Sequence, residues 1–361
     1  MSAIKAKKKY QFEPDYAVAP GETLHEIMES LNMSQKELSK RLELSELSLI
    51  RMLKGIQPIT YETANRLEMV TGVPAHFWNN LEAEYREQLA KEKERERLEA
   101  EIAWLKSIPV KELIERGCFP QHQEKVEQLR STLQFFGVAS VDAWYEVWEE
   151  PKVAARRSRC FESRLGDAAA WIRQGEMQAQ EIKCKSFDRN LFNKNLYKVR
   201  TLTREEPRVF VPEVQKLCAE AGVAVSLVKE MKKVPWNGAT KWLSPSKVMI
   251  LLSLRGRGED RFWFSFFHEA GHVLKDGKKD LLIDDGTRED PREIQADKFA
   301  ADFLIPKKHN KDIVRISTKA EVIDFANYLN IAPGIVAGRY QFLTKRWNMF
   351  RELIRSFQWA E

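Results

Sequence analysis

Two histidines four residues apart are the side chains of this chain best placed to do chemistry. His268 and His272 enclose Glu269 in the segment HEAGH, which follows a largely aromatic run. On a helix, residues four apart lie on one face, so both imidazoles can bind a single Zn²⁺. Glu269 can then reach a metal-bound water as a general base. The alternative interpretation is a pair of helical histidines packed beside aromatic residues.

A hydrolytic zinc site needs a third protein ligand and one position left open for water. Asp290 and Pro291 are typical of an N-cap and a first helical position, which places Glu293 in the first turn of a second helix. Glu293 is therefore the candidate third ligand, and its alternative is an ordinary glutamate favoured there by the helix dipole. Asp297 lies one turn further on the same face, where it can accept the ring N–H of a ligating histidine. Rival ligands precede this helix: Asp284, Asp285, Glu289 and Asp290.

These two segments together resemble the ImmA/IrrE family of metallopeptidases. The resemblance lies in FSFFHEAGH at 264–272 and in E-x-x-A-D-x-F-A-A-x-F-L-I-P at 293–306, and it extends over roughly residues 205–345. It implies that His268, His272 and Glu293 bind zinc and that Glu269 is the catalytic base. Many members carry asparagine where this chain has Asp297, which itself resembles the aspartate behind a zinc ligand in thermolysin-like enzymes.

A separate pattern near the amino terminus predicts a helix-turn-helix. Ser34 is a cap for a helix over 35–42, with Glu37 completing a capping box. Ser45 caps a second helix over 46–54, and two short helices with this spacing place the second one in the DNA major groove. The turn between them has Glu43 at a position where glycine is usual, because the backbone there takes a positive φ.

This amino-terminal segment resembles the Cro/repressor (XRE) class, and its flanks resemble HigA-type antitoxins, over about residues 18–90. The resemblance implies contacts to bases from the second helix and contacts to phosphates around it. Arg51 is the best single candidate for a guanine contact. The alternative is a small helical bundle used for dimerisation or partner binding. The implied base-facing residues are Glu46, Leu47, Ser48 and Arg51, and the implied phosphate contacts are Gln35, Lys36 and Lys54.

The composition of the 361 residues fits a soluble protein of two or three domains, with 43% hydrophobic and 31% charged residues. A net charge of +6 is compatible with DNA as a partner. The four cysteines are widely spaced without a CxxC pair, which disfavours a disulfide framework and fits a reducing cytoplasm. We expect a cytoplasmic protein without a membrane partner, since no apolar run reaches membrane-spanning length.

Between the two motif regions the sequence predicts helices to which no chemistry can be assigned. Alternating charges up to about residue 105 indicate a solvated linker helix. Trp144, Trp148 and Trp171 are expected in the core. Strand patterns follow at 223–228 and 248–254, and residues 238–242 between them are expected to form an edge strand with which an extended substrate can pair.

These patterns predict a mainly α fold with a small β-sheet, that is, an α+β protein. We expect an all-α helix-turn-helix bundle, a helical middle region and a zincin-like metallopeptidase domain at the carboxy terminus. The predicted boundaries are 1–17 for a basic disordered tail, 18–90 for the helix-turn-helix domain, 91–204 for the linker and middle helices, and 205–361 for the peptidase domain with its carboxy-terminal helices.

The combined expectation is a DNA-binding transcriptional regulator that carries a zinc-dependent endopeptidase domain. Zn²⁺ is the expected cofactor, and the resemblance implies a regulatory protein such as a repressor as substrate. It also implies operator DNA, a toxin and a second copy of the chain as partners. The first alternative is an antitoxin-like autoregulatory repressor whose zinc domain is a sensor or scaffold without hydrolysis. The second is an interaction protein with neither activity.

Overall fold

The computed structural model describes residues 19–154, 165–276, 281–283 and 291–360. The chain divides into two compact units, Met1–Ile102 and Ala103–Glu361. The finer division proposed above stays a prediction. The basic tail at 1–17 and the rival ligands Asp284, Asp285, Glu289 and Asp290 lie outside the described residues. Within those residues, every helix is either too short or too polar for a membrane span.

The amino-terminal unit is an all-α bundle, as predicted. Ser34 and Ser45 each accept a hydrogen bond from the N–H three residues on, which satisfies one orphan donor at the start of each of the two predicted helices. Leu38, Leu49 and Trp78 are fully buried and form the centre of its core. Its helices are α1 (Pro20–Ser30), α2 (Gln35–Arg41), α3 (Glu46–Leu53), α4 (Tyr61–Thr71) and α5 (Ala75–Glu101).

The second unit contains helices and a small sheet. The middle helices from residue 110 onward lie within this unit. Its helices are α6 (Val110–Glu115), α7 (Lys125–Phe136), α8 (Val141–Ala154), α9 (Leu165–Glu181), α10 (Arg189–Thr201), α11 (Pro207–Ala219), α12 (Glu259–Lys275), α13 (Pro291–Leu304), α14 (Asn310–Arg315), α15 (Lys319–Leu329) and α16 (Pro333–Thr344). Its strands are β1 (Val223–Leu227), β2 (Gly238–Ser244), β3 (Lys247–Leu252) and β4 (Leu281–Ile283).

The sheet has the order β1-β3-β2-β4. β1 runs parallel to β3, while β2 is antiparallel to both β3 and β4. The prediction that β2 is an edge strand is therefore wrong, because β4 pairs with residues 239–241 on the side of β2 away from β3. The sequence pattern did not predict β4, since three apolar residues are too few to show an alternation.

Helices cover both faces of this sheet. On one face α9 lies against β1 and β3: the Ser226 hydroxyl donates to the Gly175 carbonyl at 2.9 Å, and a Cβ on Gly175 would lie 2.7 Å from Leu251. On the other face, buried residues of β1 and β3 share a core with Phe266 and Phe267 of α12. The predicted burial of the tryptophans is confirmed, since the exposed fractions of Trp144, Trp148 and Trp171 are 1%, 1% and 0%.

Candidate metal centre and DNA-reading helix

Helix α12 places both histidines of the HEAGH segment on its face toward α13. His268, Glu269 and His272 are all buried. The two helices approach closely at Gly271, where a Cβ would lie 3.1 Å from the Phe299 ring and 3.3 Å from the Ala296 Cα. The glycine inside the motif therefore lets α13 bring its own side chains to the histidines.

Three potential ligand atoms converge between these helices. The Nε2 atoms of His268 and His272 lie 3.0 Å apart. The Glu293 carboxylate reaches them at 3.0 Å and 3.3 Å. A tetrahedral zinc ion with bonds of about 2.0–2.1 Å separates its ligand atoms by roughly 3.3 Å. The structure thus brings together the three side chains predicted from sequence, and their spacing and donor types fit Zn²⁺.

The outer nitrogens of the two imidazoles are each held by a carboxylate. His268 Nδ1 lies 2.9 Å from Asp297 Oδ1, and His272 Nδ1 lies 2.6 Å from Asp276 Oδ2. Such bonds fix the tautomer and the ring orientation, so that both Nε2 atoms point at the common centre. The sequence pattern predicts this role for Asp297 but not for Asp276. The available signal was its position four residues after His272 at the end of the helix.

The electrostatics of the cluster favour a bound cation. Burial lowers the pKa of His272, but the hydrogen bonds to Asp276 and Glu293 outweigh it and raise the pKa to about 9. Burial raises the pKa of Glu293, but the hydrogen bonds to His268 and His272 outweigh it and hold the pKa at about 2. Facing nitrogen lone pairs and a carboxylate at this distance require a positive charge between them. A proton supplies that charge in the metal-free protein, and a divalent metal ion can replace it.

Glu269 lies against strand β2 on the sheet side of α12. Its Oε2 accepts a hydrogen bond from the Thr240 hydroxyl at 2.6 Å. A Cβ on Gly238 would lie 2.5 Å from Glu269 Oε1, so the first residue of β2 must be small for the carboxylate to fit. Neither Thr240 nor Gly238 is among the residues predicted from the sequence. A glycine at the start of an apolar strand is the signal that indicates close approach of another group.

In the helix-turn-helix segment, the predicted DNA-contacting side chains lie mostly at the surface. The exception is Ser48, which is half-buried and accepts a hydrogen bond from Gln57 at 2.7 Å. Glu43 takes the expected left-handed conformation with φ 56°, and Arg66 donates to the carbonyl of Leu42 in the same turn at 2.9 Å. The exposed members of the predicted set are Gln35, Lys36, Glu46, Leu47, Arg51 and Lys54.

Both motif regions match known protein families. Residues 24–78 match the helix-turn-helix family HTH_3. Residues 227–337 match the Peptidase_M78 family, described as the IrrE N-terminal-like domain. This second match includes α12 and α13 and therefore all the converging side chains. The two resemblances inferred from sequence are thereby confirmed, as is the α+β fold class.

Two relatives resemble the amino-terminal region. An uncharacterized HTH-type transcriptional regulator of Escherichia coli (strain K12), YddM, is 32% identical over 63 residues, which are 18% of this chain and 67% of the relative. The solved structure of an addiction module antidote protein of the HigA family from Coxiella burnetii is 32% identical, with a TM-score of 0.22, and the match covers 24% of this chain and 94% of that chain. The chain therefore belongs to the HTH-type transcriptional regulators through its amino-terminal domain, and its second unit carries an IrrE N-terminal-like domain of the Peptidase_M78 family.

Proposed function

We propose that this chain is a DNA-binding regulator whose second unit is a zinc-dependent endopeptidase that cleaves a regulatory protein such as a repressor. The observation that carries the proposal is the convergence of His268, His272 and Glu293 on one point, next to the buried Glu269. The match to the Peptidase_M78 family supports it.

Each side chain of the cluster has a distinct task in this chemistry. His268, His272 and Glu293 would hold zinc. Asp297 and Asp276 would fix the orientation of the two imidazole rings through their Nδ1 atoms. Polarisation of the scissile carbonyl and acidification of a water molecule are the chemistry that bound zinc supplies in such a site.

Glu269 is the proposed general base. Thr240 holds its Oε2, so the carboxylate is oriented before a substrate arrives. Glu269 takes a proton from the attacking water and then delivers it to the leaving amine, which completes hydrolysis of the peptide bond. Its burial against β2 keeps bulk water away from this proton transfer.

DNA binding is the proposed function of the amino-terminal unit, with operator DNA as the partner. Glu46, Leu47 and Arg51 lie exposed on α3, where the helix-turn-helix geometry presents side chains to base edges. Ser48 lies on the same helix, and its hydroxyl accepts a hydrogen bond from Gln57. Exposed Gln35, Lys36 and Lys54 are the proposed phosphate contacts, in a protein that binds its operator as a homodimer.

The test compares cells that carry the wild type with cells that carry Glu269→Gln, by mass spectrometry of newly formed protein amino termini. Removal of a general base lowers the rate by roughly 10²–10⁴-fold, so an internal amino terminus in a regulatory protein should disappear. Glu213→Gln, the same change at a surface glutamate, should keep it. Identical amino termini in wild type and Glu269→Gln would rule out the proposed hydrolysis.

A second candidate function is an autoregulatory, antitoxin-like repressor whose zinc domain senses or scaffolds without hydrolysis, with a toxin as partner. The similarity of the amino-terminal region to an HTH-type transcriptional regulator favours it. Promoter-reporter measurements discriminate the two functions, because Glu269→Gln leaves regulation unchanged in the second candidate and abolishes the response in the first.

A further inference from the structure

Strand β4 occupies the side of β2 at which an extended peptide would join the sheet. Its residues 281–283 pair antiparallel with residues 239–241 of β2. Addition of a strand to an exposed sheet edge is a general mode of peptide recognition, in which main-chain hydrogen bonds supply the affinity. In this chain the position is taken by the chain itself.

This pairing lies directly beside the proposed catalytic base. Leu282 lies opposite Thr240 in the ladder, and the Thr240 hydroxyl donates to Glu269 Oε2 at 2.6 Å. Gly238, two residues earlier on β2, abuts the other carboxylate oxygen of Glu269. Since neighbouring strands lie about 4.8 Å apart, the β4 backbone runs along the row next to the residues that contact the base.

β4 also lies in the connection between the two helices that hold the metal cluster. This connection begins at Asp276, which bonds His272, and ends at α13, whose first turn carries Glu293. In sequence, β4 therefore lies between Asp276, which orients a proposed ligand, and Glu293, which is itself a proposed ligand. The pairing spans only three residues, which is short even for an edge strand, so its displacement requires the loss of few ladder bonds.

We infer that β4 is an internal pseudosubstrate: residues 281–283 hold the place of an extended peptide on β2, and they leave it when a protein substrate pairs there. The inference rests on the proposed function, since it assigns a regulation to the same site. It implies that the resting enzyme is restrained by its own chain, and that the substrate is bound as an antiparallel extended segment.

The first test measures binding of a fluorescent peptide with the sequence of residues 279–285, by fluorescence anisotropy, in the inactive Glu269→Gln background. The combined changes Leu281→Gly, Leu282→Gly and Ile283→Gly weaken the strand, because glycine disfavours it. This variant should bind the peptide about tenfold more tightly than Glu269→Gln alone, since more of the protein presents an open β2. Leu281→Val, Leu282→Val and Ile283→Val keep the strand tendency and should bind like the parent. Equal affinity in the glycine and valine variants would overturn the inference.

The second test measures cleavage in the zinc-loaded protein with Glu269 intact. The glycine variant should cleave the substrate about tenfold faster than wild type, and the valine variant at the wild-type rate. Slower cleavage by the glycine variant would show that β4 supports the substrate and would overturn the inference. If neither protein cleaves while the glycine variant still binds the peptide more tightly, the proposed hydrolysis fails and the pseudosubstrate role stands.

A third measurement needs no substitution in β4. Hydrogen exchange of the wild-type protein reports the protection of the amides of residues 281–283. A saturating concentration of the 279–285 peptide should increase their exchange, and a scrambled peptide should not. Bound peptide with unchanged exchange at these amides would overturn the inference even if the glycine variant did not fold.

Discussion

The proposed metal centre and the proposed recognition helix α3 differ in how much of each functional side chain reaches solvent. His268 and His272 are each 1% exposed and bonded through both ring nitrogens, whereas Leu47 on α3 is 59% exposed. A metal site must be organised before the reaction, because misplacement of a ligand or base lowers the rate. A DNA-reading surface must remain accessible, because its partner supplies the other half of every contact.

This difference predicts that a substitution at the proposed metal centre also disturbs the neighbouring side chains. A substitution on α3 should remove only the contact of the substituted residue. Within the proposed centre, Asp276 and Asp297 also differ in the exposure of their side chains. The Asp276 side chain is 11% exposed with its bond at 2.6 Å, and the Asp297 side chain is 37% exposed with its bond at 2.9 Å.

Of the two carboxylates behind the histidines, Asp276 is expected to give the larger effect, in the variant Asp276→Asn. Loss of a carboxylate behind a ligating histidine weakens metal binding by about 10–100-fold. Asp297→Asn should weaken it less, because that side chain is more exposed and its bond is longer. Competition for zinc with a calibrated chelator measures both affinities. Equal losses of zinc affinity in the two variants, or a larger loss in Asp297→Asn, would contradict this expectation.

On α3, Arg51→Ala should weaken operator binding by roughly 1–3 kcal/mol and relax the preference at one base pair, because a guanine contact is lost. Lys54→Ala should weaken binding to all sequences alike and reduce the salt dependence, because a phosphate contact carries no sequence information. Electrophoretic mobility shifts with operator and unrelated DNA distinguish the two variants. A sequence-independent loss for Arg51→Ala would remove it from base reading.

The pH dependence of stability should also distinguish the buried centre from the rest of the chain. In the metal-free protein the pKa of His272 is raised from 6.5 to about 9, so its protonation stabilises the fold fully below pH 6.5. That contribution is lost as the pH rises through 9, with a slope of at most about 1.4 kcal/mol per pH unit. Urea denaturation from pH 6 to 10 measures it. Asp276→Asn should flatten the slope, and a flat profile in the wild type would contradict the assigned interactions.

The smallest effect is expected in the turn before α3. Glu43 holds φ at 56°, which costs a non-glycine residue on the order of 1 kcal/mol. Glu43→Gly should therefore raise the free energy of unfolding by up to about that amount, since the bond from Arg66 to the Leu42 carbonyl does not depend on the side chain. Thermal denaturation of the wild type and Glu43→Gly measures it. A destabilised Glu43→Gly would mean that the exposed Arg66–Glu43 ion pair outweighs the backbone cost.

The sequence predicted those parts of the site that local spacing determines. His268 and His272 share one helix face, and Asp297 follows Glu293 by one turn on another helix. Helical periodicity alone therefore brings the two residues of each pair together. Thr240 and Gly238 escaped prediction because they reach Glu269 through strand pairing between distant segments. β4, the second neighbour of β2, escaped prediction because three apolar residues are too few to show an alternation. Ser48 lies on the predicted helix, but its hydrogen bond from Gln57 was not predictable, because it depends on how the chain turns after α3.

The most direct test of the central claim is the zinc content per chain, measured by elemental mass spectrometry on protein purified without chelators. We expect about one zinc ion per chain in the wild type and in Glu269→Gln, and none in His272→Ala, because a catalytic zinc site relies on all three of its protein ligands. His309→Ala, which removes a histidine far along the sequence from this motif, should keep the zinc. Zinc absent from the wild type, or retained in His272→Ala, would contradict the assignment of His268, His272 and Glu293 as its ligands.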